Sequence, residues 1–153
     1  MTVESRLKEL NIVLPTPPAP VASYVPFVVS GKQVFISGQV TLAPDGLKYV
    51  GIVGKEISLE DGKAAARLCA LNVIAQAKAA CGGDLERIKR IVKVTVFVNA
   101  VPGFTQHPEV ANGASDLFVE VFGDAGRHAR AAVGAGSLPR NVATEVEAIL
   151  EIA

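Results

Sequence analysis

The chain has 153 residues, 50% hydrophobic and 20% charged, which excludes a disordered chain and suffices for a core without disulfide or metal staples. Fifteen basic and fifteen acidic side chains give a formal net charge of zero, with no Lys/Arg block. The electrostatic footprint of a dedicated nucleic-acid binder is therefore missing, and no apolar run reaches the roughly 18 residues that suggest a membrane span.

The length predicts one domain over 1–153, with a helix and connector over 1–20 and the core over 21–153. Residues 2–10 predict a short amphipathic helix, with Val3, Leu7 and Leu10 on one side. The opening stretch lacks the continuous apolar centre of a signal peptide. Four prolines within LPTPPAP, 14–20, predict extended chain, since proline lacks an amide donor and disfavours helix before it. Strands are expected over 26–29 and 33–37 about a turn at Ser30-Gly31-Lys32, and Pro44-Asp45-Gly46 marks a further turn. Residues 48–54 read as weakly strand-like.

Ser58 is a good N-cap for a long alanine- and leucine-rich helix over 59–80, ended by Gly82-Gly83. Cys69 and Cys81 fall within and just after it, roughly 18 Å apart at about 1.5 Å per residue, too far for a disulfide. Two small buried side chains in a reducing cytoplasm are the expectation. Residues 88–99, IKRIVKVTVFVN, alternate as a half-buried or central strand. A second helix is expected over 108–122, stopping at Gly123, and two strands over 129–134 and 142–152. In the last strand Val142, Thr144, Val146, Ala148, Leu150 and Ile152 share one face, and Glu145, Glu147 and Glu151 the other. The order βββ-α-β-α-ββ predicts an α+β fold, a mixed sheet with two main helices on one face plus the short N-terminal helix. The other face would need a cover, for which a partner subunit is the natural candidate.

The last two strands hold the most informative chemistry. If they pair as an antiparallel hairpin turning near Leu138, Arg130 falls opposite Val146, with Glu145 or Glu147 as its cross-strand neighbour. An arginine among Ala129, Ala131, Ala132 and Val133 needs a carboxylate or a cleft. One reading is an ion pair that ties the hairpin together. The other is a guanidinium fork awaiting a ligand carboxylate, with a glutamate left for proton transfer; lysine could not reproduce the planar fork. His107, beside Pro108, and His128 are the only histidines, expected as solvated or capping groups, though His128 could flank the cleft. No HxxxH or CxxC spacing suggests a metal site. VGAGS is no phosphate loop, and Ser115 and Ser137 sit in no nucleophile elbow.

Tyr24, FISGQV at 35–40, VKVTVFV at 92–98 and the end HARAAV…LPRNVATEVEAI together resemble the RidA family, also called YjgF-type. The resemblance runs from about Tyr24 to the C-terminus. Its most specific part is the arginine strand followed by Leu-Pro and the Glu-x-Glu strand. The N-terminal helix and an apparent insertion around 105–109 are similar to the longer chorismate-mutase-like members. The resemblance implies a chorismate-mutase-like α+β domain, a homotrimer with clefts between subunits, and hydrolysis of reactive enamines and imines of small amino acids to keto acids and ammonia. It implies that Arg130 binds the carboxylate of a small metabolite, that Glu145 positions water, that Tyr24 and Gly38 line the pocket, and that Asn112 lies at the same cleft. No metal, nucleotide or other cofactor is required. Two departures stand out: Ala132 where typical members carry a cysteine, and Gly134 where they carry a glutamate. A non-catalytic metabolite-sensing trimer is the alternative from another class. The endoribonuclease L-PSP activity of some relatives ranks last, given the neutral charge.

Overall fold

The computed structural model describes residues 1–17 and 23–153, so the end of the proline-rich connector lies outside the described residues. Helix α1 spans Val3–Glu9 and is closed by a capping box between Thr2 and Ser5. Strands β1 (Phe27–Ser30) and β2 (Gln33–Gln39) form the expected hairpin. A small second hairpin, β3 (Leu42–Ala43) and β4 (Gly46–Leu47), turns at Pro44-Asp45. The chain over 48–54 is not a strand. It touches the sheet through isolated bridges at Val50 and Val53, its glycines Gly51 and Gly54 having positive φ that breaks the extended run.

Helix α2 (Leu59–Ala80) starts where the Ser58 side chain accepts the Asp61 amide, and α3 spans His107–Phe122. Strands β5 (Ile88–Asn99), β6 (Ala129–Ala135) and β7 (Thr144–Ile152) complete the sheet. Its order is β1-β2-β7-β5-β6, mixed as expected. One pairing differs from the sequence reading. Strands β6 and β7 do not form a hairpin: β6 runs parallel to β5 at one edge, and β7 runs antiparallel to β5 on its other side. Helix α3 is long enough to carry the chain back along the sheet, so β6 enters parallel to β5, and this crossover prevails over the short β6–β7 connection.

The core lies between one sheet face and the two long helices. Val94, Val96 and Val98 of β5, with Val146, Ala148 and Leu150 of β7, meet Ala66, Cys69, Val73 and Ile74 of α2 and Ala114 and Phe118 of α3. The small side chains of α2 let its backbone come close to the sheet. Both cysteines are free and buried. Burial pushes the Cys69 thiol up to about 12, so it stays protonated against Thr144.

The opposite face is open. Val28, Phe35 and Ile149 lie in register across β1, β2 and β7, and Phe35 and Val28 are 42% and 50% exposed. Among the described residues no helix is long and apolar enough to cross a membrane.

Candidate functional site

The side chains singled out by sequence fall into two groups, on opposite faces of the sheet. Arg130 pairs with Val94, which pairs with Ala148, and these positions face the helices. Glu145 pairs with Phe97 on the open face, because side chains alternate along each strand. The expected Arg130–Val146 register, and an ion pair from Arg130 to Glu145 or Glu147, are both overturned. Strand β5 stands between the two residues, and no described ion pair contains Arg130.

On the helix side, Arg130 Nη1 donates to Asn112 Oδ1 at 2.8 Å and to Ser115 Oγ at 3.2 Å. Asn112 and Ser115 stand one turn apart on α3, so both reach the same strand residue. Ser115 Oγ lies 2.9 Å from His128 Nε2, and His128 Nδ1 lies 2.7 Å from the Gly126 carbonyl. A carbonyl only accepts, so Nδ1 carries hydrogen. Burial, with a smaller contribution from Arg130, holds the His128 pKa below 6.5 against the raising effect of the Gly126 bond. The neutral ring then offers Nε2 as an acceptor, the Ser115 hydroxyl donates to it, and the serine oxygen is left to accept from Arg130. His128 is thus a half-buried orienting group and no solvated histidine. The fork is held by neutral acceptors through Nη1 alone, and Nε and Nη2 have no protein acceptor among the described residues. It makes no ion pair among the described residues, and it borders an open cavity of 260 Å³ lined by Ser115, Asp116, Val119, Arg127, His128 and Arg130.

His107 begins α3 and stacks edge-on against Phe104 at 5.1 Å. A Cβ on Gly134 would approach His107 Nε2 to 2.9 Å. The His107 ring therefore lies over β6 where a side chain at Gly134 would stand, and such a side chain would have to displace it.

On the open face a bulge in β2 between Ile36 and Gln39 sets Ser37 and Gly38 beside β7. A Cβ on Gly38 would overlap the Glu145 carboxylate, so only glycine leaves room for it to lie across the strand. Glu145, Gly38 and Tyr24 line one cavity of 390 Å³ together with Arg140. Tyr24 is 65% exposed at its rim. Burial raises the Glu145 pKa above 4.5, and the neighbouring Glu147 charge adds to the rise.

This shift has a measurable sign. A carboxyl whose folded pKa is raised destabilises the fold when ionised, fully above its folded pKa and not at all below 4.5. Glu145→Gln is therefore expected to melt above wild type at pH 8, with the difference vanishing as the pH falls toward 4.5. Thermal melts across that range check it; a difference that grows on acidification contradicts it.

Ser115, the orienting role of His128, and Arg140 were not legible as site residues. For the first two a signal exists: Ser115 is three positions after Asn112 on a helix, and His128 two before Arg130, so each shares a face with its neighbour. Arg140 carries no such periodic signal. Among the described residues no trio of His, Cys, Asp or Glu is placed to hold a metal.

The family model described as "YjgF/chorismate_mutase-like, putative endoribonuclease" matches residues 4–152. Protein TCP17 of Trypanosoma cruzi is 48% identical over 151 residues, covering 98% of this chain and 94% of its own. The crystal structure of a protein of unknown function from Agrobacterium tumefaciens is similar at TM-score 0.93 and 45% identity, over 99% of this chain and 94% of that one. TdcF from E. coli, solved with bound serine, is similar at TM-score 0.63 and 26% identity, over 92% of this chain and 98% of that one.

Proposed function

This chain belongs to the YjgF/RidA family, and from that premise we propose that it hydrolyses imines and enamines of small amino acids to keto acids and ammonia. The observation that carries the proposal is the charge-bearing fork of Arg130, held in place by neutral groups and open on its other nitrogens. A charged hydrogen bond from such a fork to a carboxylate contributes about 1.5–3 kcal/mol. The serine bound to TdcF is a small amino acid of the same carboxylate-bearing class.

Arg130 and Glu145 face opposite sides of one sheet, so the reading requires that the helix-side edge of one subunit meets the open face of a neighbour. A homotrimer supplies that arrangement and covers Val28 and Phe35. In the shared cleft Arg130 fixes the substrate carboxylate and removes its rotational freedom. Glu145 of the adjoining subunit accepts a proton from water as the oxygen adds to the C=N carbon. The substrate reacts as the protonated imine, so the adduct is a neutral carbinolamine. The protonated carboxyl gives its proton to the amine nitrogen. The carboxylate then takes the hydroxyl proton as the C=O bond forms and the C–N bond breaks. The keto acid and ammonia leave, with that proton passing to ammonia or solvent. A raised Glu145 pKa suits both steps, since the group must accept and then release a proton. Ala132 leaves no thiol beside the arginine, so no covalent sulfur step is involved.

The test generates imines in situ with an amino-acid oxidase and follows their decay. Faster decay with wild type, lost in Arg130→Ala and in Glu145→Gln, is expected. Ligand binding without acceleration would replace hydrolysis by metabolite sensing. No acceleration of imine decay by wild type, with RNA cleavage that survives Arg130→Ala, would overturn the proposal in favour of a ribonuclease.

A further inference from the structure

Arg6, Arg67, Arg87, Arg90, Arg127 and Arg130 each have a hydrogen-bond or ion-pair partner in the protein. Arg140 has none among the described residues, yet it lines the cavity that holds Glu145. It makes no ion pair with Glu145, and Glu147, not an arginine, is the charge that acts on the Glu145 pKa. Arg140 is the cation that lines that cavity, and it has no ion-pair partner among the described residues.

Its backbone supports a positional reading. Arg140 and Asn141 adopt φ of 55° and 59°, the left-handed region that a long side chain disfavours and asparagine tolerates. The turn is held from below. Asn99, 2% exposed, donates through Nδ2 to Asn141 Oδ1 and to the Val142 carbonyl, each at 3.1 Å. The Gly51 amide donates to the Asn141 carbonyl at 2.7 Å. A buried amide thus holds Asn141 and Val142, the two residues after Arg140, and so fixes the end of a left-handed turn at the rim of the cavity. Such strain persists where the surroundings over-determine it, as at ligand clamps.

We propose that Arg140 binds a second carboxylate of the substrate, making the preferred substrates 2-imino dicarboxylates. This rests on the reading above, in which Arg130 of an adjoining subunit holds the first carboxylate. The imine carbon then lies between two cations, one per carboxylate, with Glu145 beside it for the water. A monocarboxylate leaves Arg140 unsatisfied and gains nothing from it.

The experiment measures calorimetric binding of two stable keto analogues, 2-oxoglutarate and 2-oxobutanoate, to wild type, Arg140→Asn and Arg140→Lys. Asparagine removes the charge while tolerating the left-handed backbone, so folding is not at issue. The dicarboxylate is expected to bind wild type roughly tenfold or more tightly than the monocarboxylate. Arg140→Asn weakens 2-oxoglutarate binding until the two ligands bind alike, and Arg140→Lys retains part of the preference. Equal binding of both ligands to wild type, or a preference that survives Arg140→Asn, overturns the assignment of Arg140 alone. Failure of both ligands to bind wild type overturns the Arg130 reading as well. Selective binding without imine turnover removes hydrolysis and leaves the Arg140 assignment standing.

Discussion

Arg130→Ala and Glu145→Gln subunits, each unable to accelerate imine decay alone, are expected to recover about a quarter of wild-type activity when mixed in equal amounts and allowed to exchange. The expectation follows from strand alternation. Arg130 shares a register row with Val94, whose side chain is buried under the helices, while Glu145 shares one with Phe97 on the other face. A site that uses both groups must draw them from two copies. In a ring where each cleft takes its fork from one subunit and its carboxylate from the next, random mixing gives half the clefts a good fork. Half of those also have a good carboxylate. The pooled activity is measured after mild dissociation and reassembly, with either variant treated alone as control. No recovery, in a mixture shown by mass to contain hybrids, would mean that both groups act within one chain, which the register forbids, or that one substitution abolishes activity by disturbing the subunit and not the chemistry. The second outcome would remove that residue from the proposed chemistry.

The sequence made much of this legible, and the failures have physical causes. Helix α2 could be read because Ser58 and Gly82-Gly83 punctuate an uninterrupted run of strong helix formers. Strands β5 and β7 showed themselves by period-two alternation, and for β7 that alternation correctly set Glu145 and Glu147 on one face. Alternation, however, says which face a residue takes and nothing about which strand lies beside it. The short link between β6 and β7 invites a hairpin, but the connection passes over the end of β5 through the Pro139–Asn141 turn. The competing signal was present: a strand, a helix of α3's length and a further strand form a unit whose strands must lie parallel. Taken with that unit, the sequence would have placed Arg130 beside β5 and not opposite Val146. The positive φ of Arg140 had no marker in the residue itself: the turn it shares with Asn141 is anchored by Asn99, distant in sequence and buried beneath it, through Asn141 and Val142.

Replacing Gly38 by alanine separates site geometry from stability. The added Cβ falls within the volume of the Glu145 carboxylate and close to its side-chain methylene. Gly38 is exposed, and no positive φ constrains it, so the backbone itself accepts alanine. The obstacle is the far end of a flexible side chain, and relief comes from rotating Glu145 away. The folding cost is then small, within about 1 kcal/mol, since glutamate loses no buried partner when it swings toward solvent. The chemical cost is large, because a misplaced general base by about 1 Å lowers turnover about a hundredfold. Gly38→Ala is accordingly expected to melt near wild type and to lose about two orders of magnitude in imine hydrolysis, mainly in kcat, with keto-acid binding at Arg130 retained. A loss of stability in proportion to activity would instead make Gly38 a packing residue, and full activity would place the reacting water somewhere other than beside Glu145. The acid limb of the pH profile adds an independent check: a carboxyl turned out of the cavity is no longer desolvated, so the apparent pKa of whatever activity remains must fall toward 4.5.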